Sequence, residues 1–322
     1  MGKYERASQP TMYFIGVTTG SSSIMKVFPE WAEALGLKET VMKGIDIAIH
    51  AAPEEYVEVV KFIKEDPLSM GALVTTHKLD LYNAAHDLFE YLDPYAQMFH
   101  ELSSISKRGD KLCGHAKDPI SSGLAMENFV PVDYWKDHPE AGVFIMGAGG
   151  SAISMCSYLM REDFKGNYPA KIVVANRSKP RLDEIEEINV KLYDKIKDHA
   201  NIAFEYGLTP EPGQNDAILH RMPEGSLVIN ATGLGKDRPG SPLTDDAKFP
   251  LNALVWEINY RGDLRFMHQA EEQQAERNLV IEDGWIYFIH GWTQVIGEVF
   301  DIKIEGELLD QLDKIAAKFN NR

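Results

Sequence analysis

Cysteine is nearly absent from this chain of 322 residues: Cys113 and Cys156 each sit inside an expected secondary-structure element and outside any metal-ligand spacing. That argues against a disulfide scaffold and a cysteine-based metal site, and it fits two reduced thiols in a cytoplasmic compartment. Long apolar runs are missing too. None approaches the roughly 18 residues that a membrane span needs, and the N-terminus "MGKYERASQPTMYFIGVTTG" has no apolar signal region. Arg6 stands where a myristoylation signal wants Ser or Thr. Dense runs of Lys and Arg are also lacking. The 49 acidic residues against 33 basic ones leave a net charge of −16, which argues against nucleic acid or an anionic membrane as a partner. Repeats and low-complexity segments are absent. What remains is an expected soluble protein, monomer or homodimer, long enough for two domains.

What is present alternates. Apolar runs and helical periodicity follow one another along almost the whole chain, the pattern of an α/β protein with parallel strands. The first part reads as strands near 12–17, 44–49 and 70–75, with helices near 24–36, 53–65 and 78–91. A hairpin follows, "SSISK" and "LCGHA" around an "RGDK" turn, and then a helix over "PISSGLAMENF". At "GVFIMGAGGSAISMCSYLM" the pattern restarts, with further strands at "KIVVANR", "SLVINAT" and "ALVWEINY". The expected division is a substrate domain over 1–120, a doubly wound dinucleotide-binding domain over 121–283, and a helical segment over 284–322 that packs back on the first domain.

Chemistry is carried by strand ends. "VFIMGAGGSA" places Gly147, Gly149 and Gly150 directly after an apolar strand, with Ser151 and then Ala152 where the third small residue of the dinucleotide fingerprint belongs. Glycine there lets the backbone approach a pyrophosphate, and the helix start supplies N–H groups and partial positive charge. The next strand selects the cofactor. An NAD site usually carries an acid at its end, but here Asn176, Arg177 and Ser178 follow, then Lys179 and Arg181. Cations and a hydroxyl suit a 2′-phosphate, hence NADP rather than NAD. In "VINATGLGK", Asn230, Thr232 and Gly233 occupy another strand end, the one expected to face the nicotinamide.

One further strand, "GALVTTHK", ends in Lys78. Taken together and in order, these fragments resemble the shikimate dehydrogenase family. The resemblance implies that Lys78 is a catalytic lysine and that the Asp of "GHAKDP", Asp118, is its partner. Such a pair suits removal of a hydroxyl proton as hydride leaves the same carbon. It also implies substrate contacts at Ser22, Tyr260, Ser103 and His290, and in a gapless match at Ile24 and Val74, where the family has hydroxyls. A one-residue slip would put Ser23 and Thr75 there instead. Ser103-Ser104 and Ala116-Lys117 replace two Asn-Thr pairs, and His290 replaces a glutamine.

The expected activity is therefore NADP-dependent hydride transfer to or from a secondary alcohol of a small cyclic polyol or hydroxy acid, with shikimate itself disfavoured. Two alternatives stay open: a genuine shikimate or quinate dehydrogenase, and a non-catalytic dinucleotide-binding sensor. The retained Lys78 and Asp118 weigh against the sensor. No metal is expected.

Overall fold

The computed structural model describes residues 4–37, 39–236 and 238–319. They form two compact units, one containing the described residues up to Lys117 together with those from Gly291 on, the other Asp118–His290. The breaks expected from the sequence fall after 120 and 283.

The first unit is built on six strands: β1 Thr11–Gly16, β2 Val41–Asp46, β3 Ser69–Val74, β4 Tyr91–Leu92, β5 Ser104–Arg108 and β6 Lys111–His115, in the order β2-β1-β3-β5-β6-β4. The central β1 is buried along its whole length and pairs in parallel with β2 and β3, which is why "TMYFIG" reads as an uninterrupted apolar run. The expected strand over 44–49 lies three residues earlier. Its partner β1 ends at Gly16, paired with Asp46, so "IAI" has no strand beside it beyond the one bond from Ile47 N to the Gly16 carbonyl, 2.8 Å.

The helix Pro53–Glu65 is where the sequence puts it, with Pro53 in the first turn, Glu54 and Glu55 at the positive end and Lys64 at the other. Its buried stripe, Tyr56, Val59, Val60 and Ile63, packs on the face of the sheet that carries Ile15, Ala72 and Val74. The expected helix over 78–91 stops at Ala85 and continues as a single tight turn, His86–Leu88. Glu90 N then bonds the Leu112 carbonyl at 3.0 Å, drawing the chain into β4 beside β6. The hairpin β5–β6 turns through Gly109 (φ +64°) and Asp110. C-terminal residues complete this unit: Trp292 meets Phe14 edge-on at 4.9 Å, and Trp31 Nε1 donates to the Leu312 carbonyl at 2.7 Å.

The second unit holds β7 Val143–Met146, β8 Lys171–Asn176, β9 Ala203–Leu208, β10 Leu227–Asn230, β11 Leu254–Glu257 and β12 Val280–Glu282, all parallel, in the order β12-β11-β10-β7-β8-β9. This is a doubly wound sheet whose strand order reverses between β7 and β10, the place where such sheets bind ligands. Four of its strands are legible as apolar runs. The edge strands β9 and β12 are not, because β9 is only half-buried and β12 is three residues long.

Both cysteines are buried and unbridged. Among the described residues no helix is long and apolar enough to cross a membrane.

Gly71 in β3 has φ +138°, and a Cβ there would lie 2.2 Å from the Ile105 carbonyl oxygen of β5. Gly71→Ala should therefore cost on the order of 2 kcal/mol or more, read as a lowered urea midpoint. An unchanged midpoint would mean that β3 and β5 are not held this closely.

Candidate functional site

Within the second unit the carboxyl ends of β7, β8, β9 and β10 enclose a cleft of about 710 Å³. Gly147 sits at its floor with φ +115°, and a Cβ on it would come within 2.4 Å of the Ala231 carbonyl oxygen, so the exits of β7 and β10 touch only because this residue is glycine. Gly149 faces open space, and Gly150 and Ser151 begin the helix Gly150–Leu159. Its N-terminal N–H groups are open to an anion because Gly149 and Gly150 are exposed.

At the end of β8 the cleft is lined by Asn176, Arg177, Ser178 and Arg181. Ser178 is the N-cap of the helix Lys179–Tyr193, yet its hydroxyl makes no capping bond. Arg181 pairs with Glu184 at 2.8 Å on the surface and Lys179 pairs with Asp183. Across the cleft lie Thr232, Gly233 and Arg238. No acid occurs among the described lining residues. A dinucleotide fits this cleft, with room for the pyrophosphate over the glycine turn and cations for a 2′-phosphate.

Of the expected cofactor residues, Ala152 and Asn230 are fully buried and support the cleft from beneath. Asn230 is the hub of a hydrogen-bonded network. Its side-chain oxygen Oδ1 accepts from Thr232 Oγ1 at 2.7 Å and Thr232 N at 3.1 Å, while its side-chain Nδ2 donates to Glu257 Oε2 at 2.7 Å. Glu257 Oε1 accepts from Asn259 N at 2.9 Å and Asn259 Nδ2 at 2.6 Å. Burial pushes the Glu257 carboxyl up to about 7 in spite of these donors. The network fixes the loop that carries Thr232 and Gly233. The sequence missed Thr209, Asn215, Arg238 and Ser241 as lining residues. The basic, Gly- and Pro-rich stretch "GKDRPGSP" directly after the β10 motif was the available signal.

In the first unit the motif residues gather at the carboxyl edge of the parallel strands. Asp46 at the end of β2 accepts from Thr19 N at 2.8 Å and Thr19 Oγ1 at 2.6 Å, bonds that hold its carboxyl below the ordinary range. Gly44 leaves the space that the Thr19 hydroxyl fills. This anchors the loop carrying the half-buried Ser22 and Ser23. Beside it β3 ends in a sharp turn: Thr76 has φ +63°, unusual for a β-branched residue, and His77 N bonds the Thr75 carbonyl at 2.6 Å. His77 is fully buried with Nδ1 3.1 Å from Tyr56 Oη, which holds the turn in place. Lys78 then opens the helix Lys78–Ala85.

Two substrate expectations are corrected here. Ile24 and Val74 are 0% and 1% exposed, Val74 inside the core against helix Pro53–Glu65. Neither is among the residues that line the cleft of the second unit or the cavity against helix Pro53–Glu65. Side chains alternate along a strand, so the next residue, Thr75, takes the other face, packed beside Gly16 and half-buried at the edge. The slipped match puts the half-buried Ser23 and Thr75 at these positions.

Ser103 is also buried, its hydroxyl accepting from Lys117 N at 2.7 Å. Lys117 Nζ is held by Glu298 Oε2 at 2.5 Å, with Arg108 Nη2 on Glu298 Oε1 at 2.9 Å and His115 Nε2 3.4 Å away. Burial drives His115 down to about 4, so it stays neutral. Burial works to raise Glu298, but Lys117 and Arg108 hold its carboxyl below the ordinary range.

Asp118 is the first residue of the helix Asp118–Glu127 in the second unit. There Tyr260 packs on Phe288 and Trp285, and His290 offers its carbonyl to Ser121 Oγ at 3.3 Å. A larger cavity of about 1060 Å³ lies against helix Pro53–Glu65, but it contains none of these residues, and in its lining the acids Glu5, Glu54, Glu58, Glu65 and Asp66 outnumber Arg6 and Lys61. It suits no anion. Among the described residues no group of His, Cys, Asp and Glu is placed to hold a metal ion.

No protein-family model matches the chain. It is 27% identical to an NADP-type shikimate dehydrogenase of Lactococcus lactis over 186 residues, 58% of this chain and 59% of the relative. To the Streptococcus thermophilus enzyme of the same name it is 23% identical over 243 residues, 75% and 77% of the two chains. The chain thus spans 59% of the length of the first of these relatives.

A shikimate 5-dehydrogenase of Thermus thermophilus, solved with NADP(H) and shikimate, superposes with a TM-score of 0.66 at 16% identity, covering 96% of this chain and 99% of that one. A 5-ketofructose reductase of a Gluconobacter strain does so at 0.64 and 15%, covering 95% and 98%. These likenesses establish the two-domain α/β fold. The resemblance read from the motifs is met in sequence relatives and solved structures alike.

Glu257 generates a pH prediction. Its folded pKa, about 7, lies above the ordinary value of 4.5, so the native state holds this proton longer than the unfolded chain does. The group's contribution to stability is complete below 4.5 and is lost as pH rises through 7. Relative to Glu257→Gln, wild type should lose on the order of 2–3 kcal/mol between pH 4.5 and 7. Urea unfolding of both proteins at several pH values reads this directly, and a pH-independent gap would contradict it.

Proposed function

We propose that this protein is an NADP-dependent oxidoreductase acting on a secondary alcohol, or the corresponding ketone, of a small cyclic polyol or hydroxy acid. The observation that carries the reading is a cleft at the reversal point of the second sheet with no acid among its described lining residues, and with Arg177 and the uncommitted Ser178 hydroxyl at the end of β8. In a chain of net charge −16 such a cleft calls for an anionic ligand. Bound there, the dinucleotide supplies the hydride acceptor or donor. Gly147, Gly149 and the helix start would seat its pyrophosphate, Arg177, Ser178 and Arg181 its 2′-phosphate, and Thr232 and Gly233 its nicotinamide end.

Lys78 is proposed to take the hydroxyl proton, or to return it to the carbonyl, with Asp118 orienting the ammonium. Lys78 is suited to this by its place after the strained Thr76 turn, which packing imposes rather than local preference. Around the substrate, Ser22, Ser23 and Thr75 offer half-buried hydroxyls at the sheet edge, so a carboxylate on the ring is not disfavoured on their account.

The change lies on the side of the ring hydroxyls. Ser103, Ser104 and Ala116 are 2%, 0% and 0% exposed, and the Lys117 ammonium is committed to Glu298. Each missing polar partner costs about 1–3 kcal/mol, so shikimate should be a poor substrate and a differently hydroxylated ring a better one. The ketofructose reductase with this fold gives a precedent for another polyol.

Arg177→Ala should weaken NADPH binding by over tenfold, as expected for a lost charged hydrogen bond worth about 1.5–3 kcal/mol, and leave NADH nearly unchanged. Equal losses would sink the NADP assignment. Lys78→Ala should lower turnover by two to four orders of magnitude with NADPH affinity kept, and near-normal turnover would remove Lys78 from the mechanism.

The substrate is tested by NADP⁺ reduction across shikimate, quinate, aminoshikimate and carboxylate-free cyclitols. Preference for a ring other than shikimate is expected. A kcat/KM for shikimate above about 10⁴ M⁻¹s⁻¹ would overturn that preference, and the absence of both turnover and NADPH binding would overturn the whole reading.

A further inference from the structure

The cleft contains a third arginine, which the motifs do not account for. Arg238 lies on the loop that leaves β10, and among the described residues neither it nor Arg177 has a side-chain hydrogen bond or ion pair. The turn that carries Arg238 is built rather than loose. Gly235 N donates to the Arg238 carbonyl at 2.7 Å, Leu234 and Arg238 form a β-bridge, and the Leu234 carbonyl accepts from both Asn230 Nδ2 and Asn259 Nδ2 at 3.3 Å. The far end of the loop is fastened too, where Asn215 Nδ2 donates to the Pro242 carbonyl at 2.9 Å. Arg238 is thereby fixed at the exit of β10 while its side chain stays exposed.

Sheet order then separates the two arginines. The strands run β10-β7-β8, so the glycine turn after β7 has Arg238 on its β10 flank and Arg177 on its β8 flank. The β8 flank is where the adenosine ribose lies in a doubly wound sheet, and the pyrophosphate lies over the glycine turn itself. We propose that Arg238 is a ligand of the cofactor pyrophosphate, a cation supplied from the β10 loop to phosphates that the helix N-terminus alone would hold with partial charge. Arg177 reads the 2′-phosphate, and Arg238 serves the part that NADPH and NADH share. This assignment rests on the dinucleotide reading of the cleft.

Direct binding tests it without turnover. Affinities for NADPH, NADH and adenosine 2′-monophosphate, which has the 2′-phosphate and no 5′-phosphate to enter the pyrophosphate site, are measured by titration calorimetry for wild type, Arg177→Ala, Arg238→Ala and Arg238→Lys. Arg238→Ala should weaken NADPH and NADH alike, by about tenfold or more, and leave the monophosphate within about twofold. Arg238→Lys should recover part of the loss as a point charge. Arg177→Ala should weaken NADPH and the monophosphate but not NADH.

If Arg238→Ala weakens NADPH but not NADH, Arg238 belongs to the 2′-phosphate and the proposal is wrong. If it changes neither while Arg177→Ala remains selective, the proposal falls and the cofactor reading stands. If wild type binds neither dinucleotide, both fall together.

Discussion

A protein that carries sixteen more acids than bases must keep carboxylates out of any cleft meant for phosphate. Here that exclusion shapes the second unit. Its acids are present in number, but among the described residues four near the cleft are committed elsewhere: Glu184 and Asp183 to the cations of their own helix, Asp216 to Thr244, and Glu257 beneath the floor to Asn230 and Asn259. What the cleft presents is backbone N–H, hydroxyl and guanidinium. Because the surrounding surface is negative, a few uncommitted cations define where an anion can settle.

Much of this was legible in the sequence, and the reason is local. Gly147 is required by a contact with Ala231 that leaves no room for a side chain, so it marks its position in any reading of the chain. Arg177 and Ser178 follow a strand that is buried on both faces and therefore easy to find. Arg238 was missed because its place depends on a loop fastened by Asn215, and β9, the strand before Asn215, is a half-buried edge with little apolar signal. Ile24 and Val74 failed for a different reason. Period-two alternation makes a one-residue error in a motif match reverse the face of the sheet, and only the packing of Val74 against Val59 and Val60 shows which residue points inward.

The proposed change of substrate preference rests on one cluster in the first unit. Lys117, one residue before Asp118, is drawn into a half-buried cluster in which one carboxylate, Glu298, receives Lys117 and Arg108 and lies beside a neutral His115. Two cations on one carboxylate leave a net positive charge of about one in a poorly solvated place. That is tolerable only because the guanidinium also bonds the Glu298 carbonyl at 2.6 Å and remains partly in solvent. Breaking the cluster by removing Glu298 would strand both cations, so it resists piecemeal change.

Such resistance bears on the proposed specificity. Where a wild-type pocket position is an isolated polar side chain, one substitution can restore it. Where it is a lysine neutralised by a carboxylate on a distant helix and backed by a serine that caps its own amide, no single change returns a hydrogen-bonding group to the substrate. Ser103 would have to give up Lys117 N, and Lys117 would have to leave Glu298, before either position could serve a ring hydroxyl. The half-buried hydroxyls of Ser22, Ser23 and Thr75 carry no such commitments to charged groups, so the carboxylate side of the proposed pocket is the more adaptable half. On the proposed reading, a substrate that differs from shikimate in its ring hydroxyls, while still presenting an acidic or polar group to Ser22, Ser23 and Thr75, is the one that both halves would accommodate.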